Sequence, residues 1–220
     1  TWIYPLQAKS EVFSTFLHFK TYAENQFSTA LKILRTDNGT EFVNKQMHDY
    51  LVTNGILHHL TCSYTPEQNG VAERKHQHIT ETAIALLYQS SVPLQFWFEA
   101  MATAVFLINR LPSLSLDHKS PFELLFHTLP DYTYLKVFGC QCFPWLRPYV
   151  AHKLAPRSTP CVFLGYHSTI KGYRCLDPIS GKIYISRHVT FNESYFPFTA
   201  HSSTSSSLPS HQSFFSPGSI

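Results

Sequence analysis

Two rhythms of apolar positions run along this chain. From about residue 10 to residue 110 they recur mostly at three- and four-residue spacing, the period of helices with one buried face. After Leu135 they fall into short aromatic and β-branched runs punctuated by Pro and Gly, the texture of strands. Thr1 to Leu6 (TWIYPL) has the character of a strand end closed by Pro5. Ser10 offers an N-cap, and Phe13, Phe16, Leu17 and Lys20 predict a helix to about Asn25. Leu31 to Arg35 reads as a short buried strand stopped by Asn38-Gly39. A helix from Asn44 to Asn54 ends at Gly55, and Ile56 to Thr61 forms the next strand. Ser63 to Gly70 is a loop, followed by a long helix, Val71 to Gln89, with the stripe Ile79, Ala83, Leu86 and Leu87. Pro93 opens a helix that stops at Arg110 before Pro112, and a short helix is expected over Pro121 to Phe126.

The order strand, helix repeated three times over residues 1–90 predicts an α/β domain. A helical extension over 91–136 links it to a small all-β, barrel-like module over 137–198. Residues 199–220 hold nine Ser and no Asp, Glu, Lys or Arg, so that tail is expected to be disordered.

Composition narrows the class. With 44% apolar and 15% aromatic residues, the bulk of the chain can build a core and is not a disordered protein. No stretch has the roughly 18 consecutive apolar residues of a membrane helix, so no membrane partner is expected. Five cysteines, odd in number and untidily spaced, suit a reducing compartment. The chain opens in mid-pattern without Met, which reads as a piece of something longer. Charge is unevenly spread: residues 139–190 carry seven Lys and Arg against Asp177 alone, whereas residues 1–138 are slightly acidic. That contrast predicts a polyanion partner for the β module.

Two acids stand out by position. Asp37 follows a predicted strand within RTDNGTEF, at the end where open α/β sheets bind ligands. Glu73 enters a helix directly after a loop, within YTPEQNGVAERKHQHI, and 35 residues separate the two. Paired carboxylates repel unless a cation lies between them, and oxygen-only ligands suit Mg²⁺ or Mn²⁺. With their spacing, these blocks resemble the integrase core of copia-type retrotransposons. FWFEAMATAVFLINRLPS, SPFELLF, LKVFGCQCFPWLRPY, KLAPRSTPCVFLGY and KGYRCLDPISGKIYISRHVTFNE extend the resemblance over about Thr1 to Phe198.

The resemblance implies a ribonuclease H-like core with a polynucleotidyl transferase site of two Mg²⁺ or Mn²⁺ ions. It identifies Asp37 and Glu73 as the second and third catalytic, metal-binding carboxylates. The implied chemistry is 3′-processing of the element's DNA and transfer of the freed end to a target. Implied partners are DNA and further copies of the protein, acting in the nucleus after cytoplasmic synthesis, without secretion. The family's first Asp lies on an earlier strand and Asp37 is the first Asp here, so the chain by itself is expected to be inactive. A non-catalytic nucleic-acid-binding remnant of the same fold is the alternative.

Helical geometry places Gln77 and Thr80 on the Glu73 face with His76 at its flank. These three, with Asn69, Lys75 and the basic-module residues Lys171, Arg174 and Lys182, are the expected DNA contacts. No zinc is expected. Cys140 and Cys142 share a strand face as buried thiols, and the cysteine spacing fits no usual C-x-x-C pair. His58 and His59 point to opposite faces of a strand and cannot chelate together.

Overall fold

The computed structural model describes residues 1–61, 70–149, 154 and 156–202. Of the loop predicted over Ser63 to Gly70, residues 63–69, Asn69 among them, lie outside the described residues, as do Cys62 and the tail beyond Ser202, whereas Gly70 opens a helix. The helices are α1 (Val12–Phe27), α2 (Lys45–Thr53), α3 (Gly70–Ser90), α4 (Trp97–Arg110), α5 (Pro121–Phe126) and α6 (Pro197–Ser202). The strands are β1 (Ile33–Thr36), β2 (Leu57–Leu60), β3 (Gln141–Pro144), β4 (Cys161–Tyr166), β5 (Tyr173–Leu176), β6 (Ile183–Ser186) and β7 (Val189–Asn192). The fold thus mixes α and β structure. It divides into two compact units, Thr1–Ile84 with Ala104–Pro130, and Ala85–Thr103 with the described residues from Asp131 onward.

In the first unit, β1 and β2 pair in parallel, with Ile33 opposite Leu57 and Thr36 opposite Leu60. Met47, Leu51 and Ile56 form the buried core, and Phe13, Phe16, Leu31, Leu34, Phe42 and Tyr50 pack against it. The α1 phenylalanines meet Tyr50 edge-on, at centroid distances of 5.6 Å for Phe13 and 6.4 Å for Phe16. Asn44 stands just before α2 as its N-cap, its side chain accepting from the Met47 N–H.

Two local expectations fail here. Ser10 does not cap α1: residues Lys9–Glu11 form a 3-10 turn, and Glu11 takes the N-cap position without a side-chain bond. Thr1 to Leu6 forms no strand. A strand exists only as one member of a ladder, and this segment instead packs side chains on α1, with Trp2 5.4 Å from the Phe19 ring.

The second unit is built on a five-stranded antiparallel sheet in the order β6-β5-β4-β3-β7. Among the described residues, no ladder joins β6 to β7. Every residue of the central strand β4 is buried. Helical residues cover it closely: a Cβ on Gly165 would overlap Thr103 of α4, and one on Gly139 would overlap Ser90 of α3. Both glycines have positive φ, 105° and 78°, so their backbone also favours Gly. Near Gly165 the β4–β5 register shifts between Phe163 and Tyr166, a bulge. Residues 199–202, assigned from composition to the tail, complete α6 instead, and Thr199 Oγ1 donates to Ser91 Oγ at 3.3 Å.

Candidate functional site

Asp37 sits one residue past the carboxyl end of β1 and is exposed. Its Oδ1 accepts from the Gly39 N–H at 3.1 Å, which turns the chain immediately after the strand. Asn38 Nδ2 donates to the Thr61 carbonyl at 2.9 Å and ties this turn to the end of β2. Glu73 lies in the first turn of α3, also exposed, where a carboxylate complements the helix dipole. Among the described residues neither acid forms an ion pair. Both therefore present oxygen donors of the kind a hard divalent cation takes. No group of three or more His, Cys, Asp or Glu side chains is gathered for a metal among the described residues.

Along α3, Lys75 is half-buried, and His76 and Gln77 are exposed. Gln77 Nε2 donates to Glu81 Oε1 at 2.8 Å, and Thr80 Oγ1 folds back onto the His76 carbonyl at 3.0 Å. Both polar groups are thus engaged within their own helix.

Beside the Asp37 turn, a cleft of about 520 Å³ is lined by Arg35, His58, His59, Leu60 and Thr61. The alternation of β2 separates its two histidines. His59 stands opposite Arg35 in the register, whereas His58 Nε2 lies 2.8 Å from the hydroxyl of buried Thr36. Burial, and secondarily His48, lowers the His58 pKa. Thr36 is a residue sequence reasoning overlooked. Its signal was a hydroxyl immediately before the candidate acid, on a strand whose parallel neighbour carries two histidines.

In the second unit, Lys171 and Lys182 are exposed, as are Arg147, Arg157 and Arg187. Lys171 Nζ stands 5.7 Å from the Tyr134 ring centroid. Arg174 differs from these: it is half-buried, and its Nη2 lies 3.2 Å from Glu99 Oε1. Cys140, Cys142, Cys161 and Cys175 are free and buried. Burial pushes the Cys140 and Cys161 thiols up to about 12. Cys142 is raised as well, first by its hydrogen bond with Cys175 and then by burial.

Residues 140–205 match the family described as "Retroviral polymerase SH3-like domain". The chain is 50% identical over 93% of its length to the retrovirus-related Pol polyprotein from transposon RE1 of Arabidopsis thaliana. It is 39% identical over 88% of its length to that from transposon TNT 1-94 of Nicotiana tabacum. In both cases it spans only 14% of the relative. Among solved structures, it is similar to a chain of the simian T-cell lymphotropic virus intasome in complex with PP2A regulatory subunit B56 gamma. That likeness has 19% identity and a TM-score of 0.44, covering 84% of this chain and 65% of that one. The HTLV-2 integrase catalytic core domain in complex with magnesium matches at 20% identity and a TM-score of 0.40, over 55% of this chain and 71% of that one. By its sequence identity to the plant proteins, this chain belongs to the retrovirus-related Pol polyproteins of transposons, matching one segment of them.

Proposed function

We propose that the chain is part of a retrotransposon integrase, a metal-dependent polynucleotidyl transferase for DNA 3′-processing and strand transfer. In this reading its first part belongs to a ribonuclease H-like core and its last part to a small β-barrel. The observation that carries the reading is the placement of two acids without an ion pair among the described residues, Asp37 at a strand end and Glu73 in a first helical turn. Asp37 and Glu73 would hold Mg²⁺ or Mn²⁺, which supplies charge neutralisation at the phosphate and a more acidic attacking water or hydroxyl. The chain's own residues supply the rest. The Gly39 N–H orients the Asp37 carboxylate, and exposed His76 lies one turn from Glu73 on α3, where a DNA phosphate can be met. The exposed lysines and arginines of the basic module contact duplex phosphates without reading sequence. A homo-oligomer working in the nucleus completes the proposal.

The test uses a Pol polypeptide that contains this chain, assayed on DNA mimicking an element end. Asp37→Asn or Glu73→Gln abolishes Mg²⁺-dependent 3′-processing and leaves duplex affinity unchanged. Full activity in either variant overturns the assignment. An unsubstituted polypeptide that binds DNA and never cleaves it identifies a non-catalytic remnant instead.

A further inference from the structure

We infer that His58, acting through the Thr36 hydroxyl, is a positioning residue for Asp37. Thr36 ends β1 and is 8% exposed, and His58 is the second residue of β2. In the parallel register Leu34 faces His58 and Thr36 faces Leu60, so Thr36 and His58 are diagonal neighbours. The Thr36 Oγ1 lies 2.8 Å from His58 Nε2 and 3.0 Å from the carbonyl oxygen of Asp37. A carbonyl can only accept, so the hydroxyl hydrogen points to Asp37 O. The network then assigns the hydrogen between ring and hydroxyl to His58 Nε2. The bonds run one way, from His58 Nε2–H to Thr36 Oγ1, and from Thr36 Oγ1–H to Asp37 O.

This chain of bonds acts just past the end of the strand ladder. Asp37 and Asn38 are exposed and lie beyond the ladder, whereas Thr36 and its strand are anchored by the Thr61 N–H on the Thr36 carbonyl at 3.2 Å. The Thr36 hydroxyl holds the Asp37 carbonyl and the Gly39 N–H holds its Oδ1, which together restrict the carboxylate. A ligand held this way loses less entropy when it takes up its cation. Only that last consequence rests on the proposed metal role of Asp37; the bonded chain does not.

The experiment is NMR on the isotope-labelled 220-residue chain. The imidazole nitrogens of the wild type are expected to show the Nε2–H tautomer for His58. Thr36→Val and His58→Phe move the Asp37 carbonyl ¹³C signal upfield, as loss of a hydrogen bond requires. Both weaken Mn²⁺ broadening of the Gly39 amide by about three- to tenfold, the size of one neutral hydrogen bond. Thr36→Ser keeps both signals. An Nδ1–H tautomer in the wild type, or an unmoved Asp37 carbonyl in both variants, overturns the pair. If Thr36→Val or His58→Phe fails to fold, the wild-type tautomer and Thr36→Ser still decide. Broadening that survives Asp37→Asn overturns the metal reading and leaves the positioning pair standing.

Discussion

Arg174 of β5 and Glu99 of α4 form a half-buried ion pair, with Nη2 and Oε1 3.2 Å apart. Of the three basic residues expected to meet DNA from this module, Arg174 is therefore the one held in an ion pair among the described residues, while Lys171 and Lys182 are exposed. Arg174→Gln is expected to cost roughly 1–3 kcal/mol of stability, because it leaves a partly buried carboxylate without its partner. Adding Glu99→Gln recovers part of that loss. Lys171→Gln and Lys182→Gln leave stability nearly unchanged, and each lowers the slope of log K for duplex DNA against log salt by about 0.9. Urea unfolding and DNA titrations at several salt concentrations check both halves. An Arg174 variant of wild-type stability with a reduced salt slope would reverse the division of roles.

At Gly165 and Gly139, helical side chains press on the backbone of the second unit. Gly165→Ala combines a strained positive φ with overlap against Thr103, and Gly139→Ala does the same against Ser90. Each is expected to destabilise by about 3 kcal/mol or more, the sum of left-handed strain and overpacking. Thr103→Ala should rescue part of the Gly165→Ala loss by removing the overlapped atoms. Denaturant unfolding reads this directly; a Gly165→Ala chain as stable as the wild type would contradict the close packing.

Asp177 organises the turn between β5 and β6. Its Oδ2 accepts from the Ser180 hydroxyl at 2.7 Å, and its Oδ1 from the N–H groups of Ile179 and Ser180 at 3.0 and 3.3 Å. The Ser180 hydroxyl bond, chief among the causes, holds this carboxyl below its ordinary pKa of 3.8. A carboxylate with a lowered folded pKa stabilises the folded state in full above its unfolded pKa. That contribution is lost as pH falls through the folded value. Ser180→Ala is therefore expected to cost roughly 0.5–1.5 kcal/mol at neutral pH. The gap to wild type narrows as pH falls below about 4. Paired unfolding curves across this range measure it, and a gap that widens in acid would refute it.

The four buried thiols set a chemical prediction. The thiolate is the reactive form, and a thiol held at about 12 supplies almost none near neutral pH. Iodoacetamide is thus expected to spare Cys140, Cys142, Cys161 and Cys175 in the folded chain. Labelling should rise only across the unfolding transition, as peptide mass mapping can follow. Rapid modification of Cys140 or Cys161 under native conditions would show that the sheet opens.

The sequence by itself determined the elements whose causes lie within a turn or two of the chain. Asn44 caps α2, Pro121 follows its cap Ser120 into α5, and the Ile79, Ala83 and Leu87 stripe is buried on α3. The change from helical to strand texture near Leu135 was legible for the same reason, because hydrophobic period is a local property. Even so, Ser10 failed as a cap, since a 3-10 turn moved the start of α1 past it. What depended on partners remote in sequence was decided only by tertiary structure. Thr1 to Leu6 has strand-like residues and no ladder to join, so side-chain packing on α1 set its course. Arg174 found Glu99 at a separation of 75 residues, and Thr36 found His58 at 22. Neither pairing carries a periodic signal. A hydrogen bond or ion pair needs atoms within about 3 Å, and across such separations only the packed backbone brings them there.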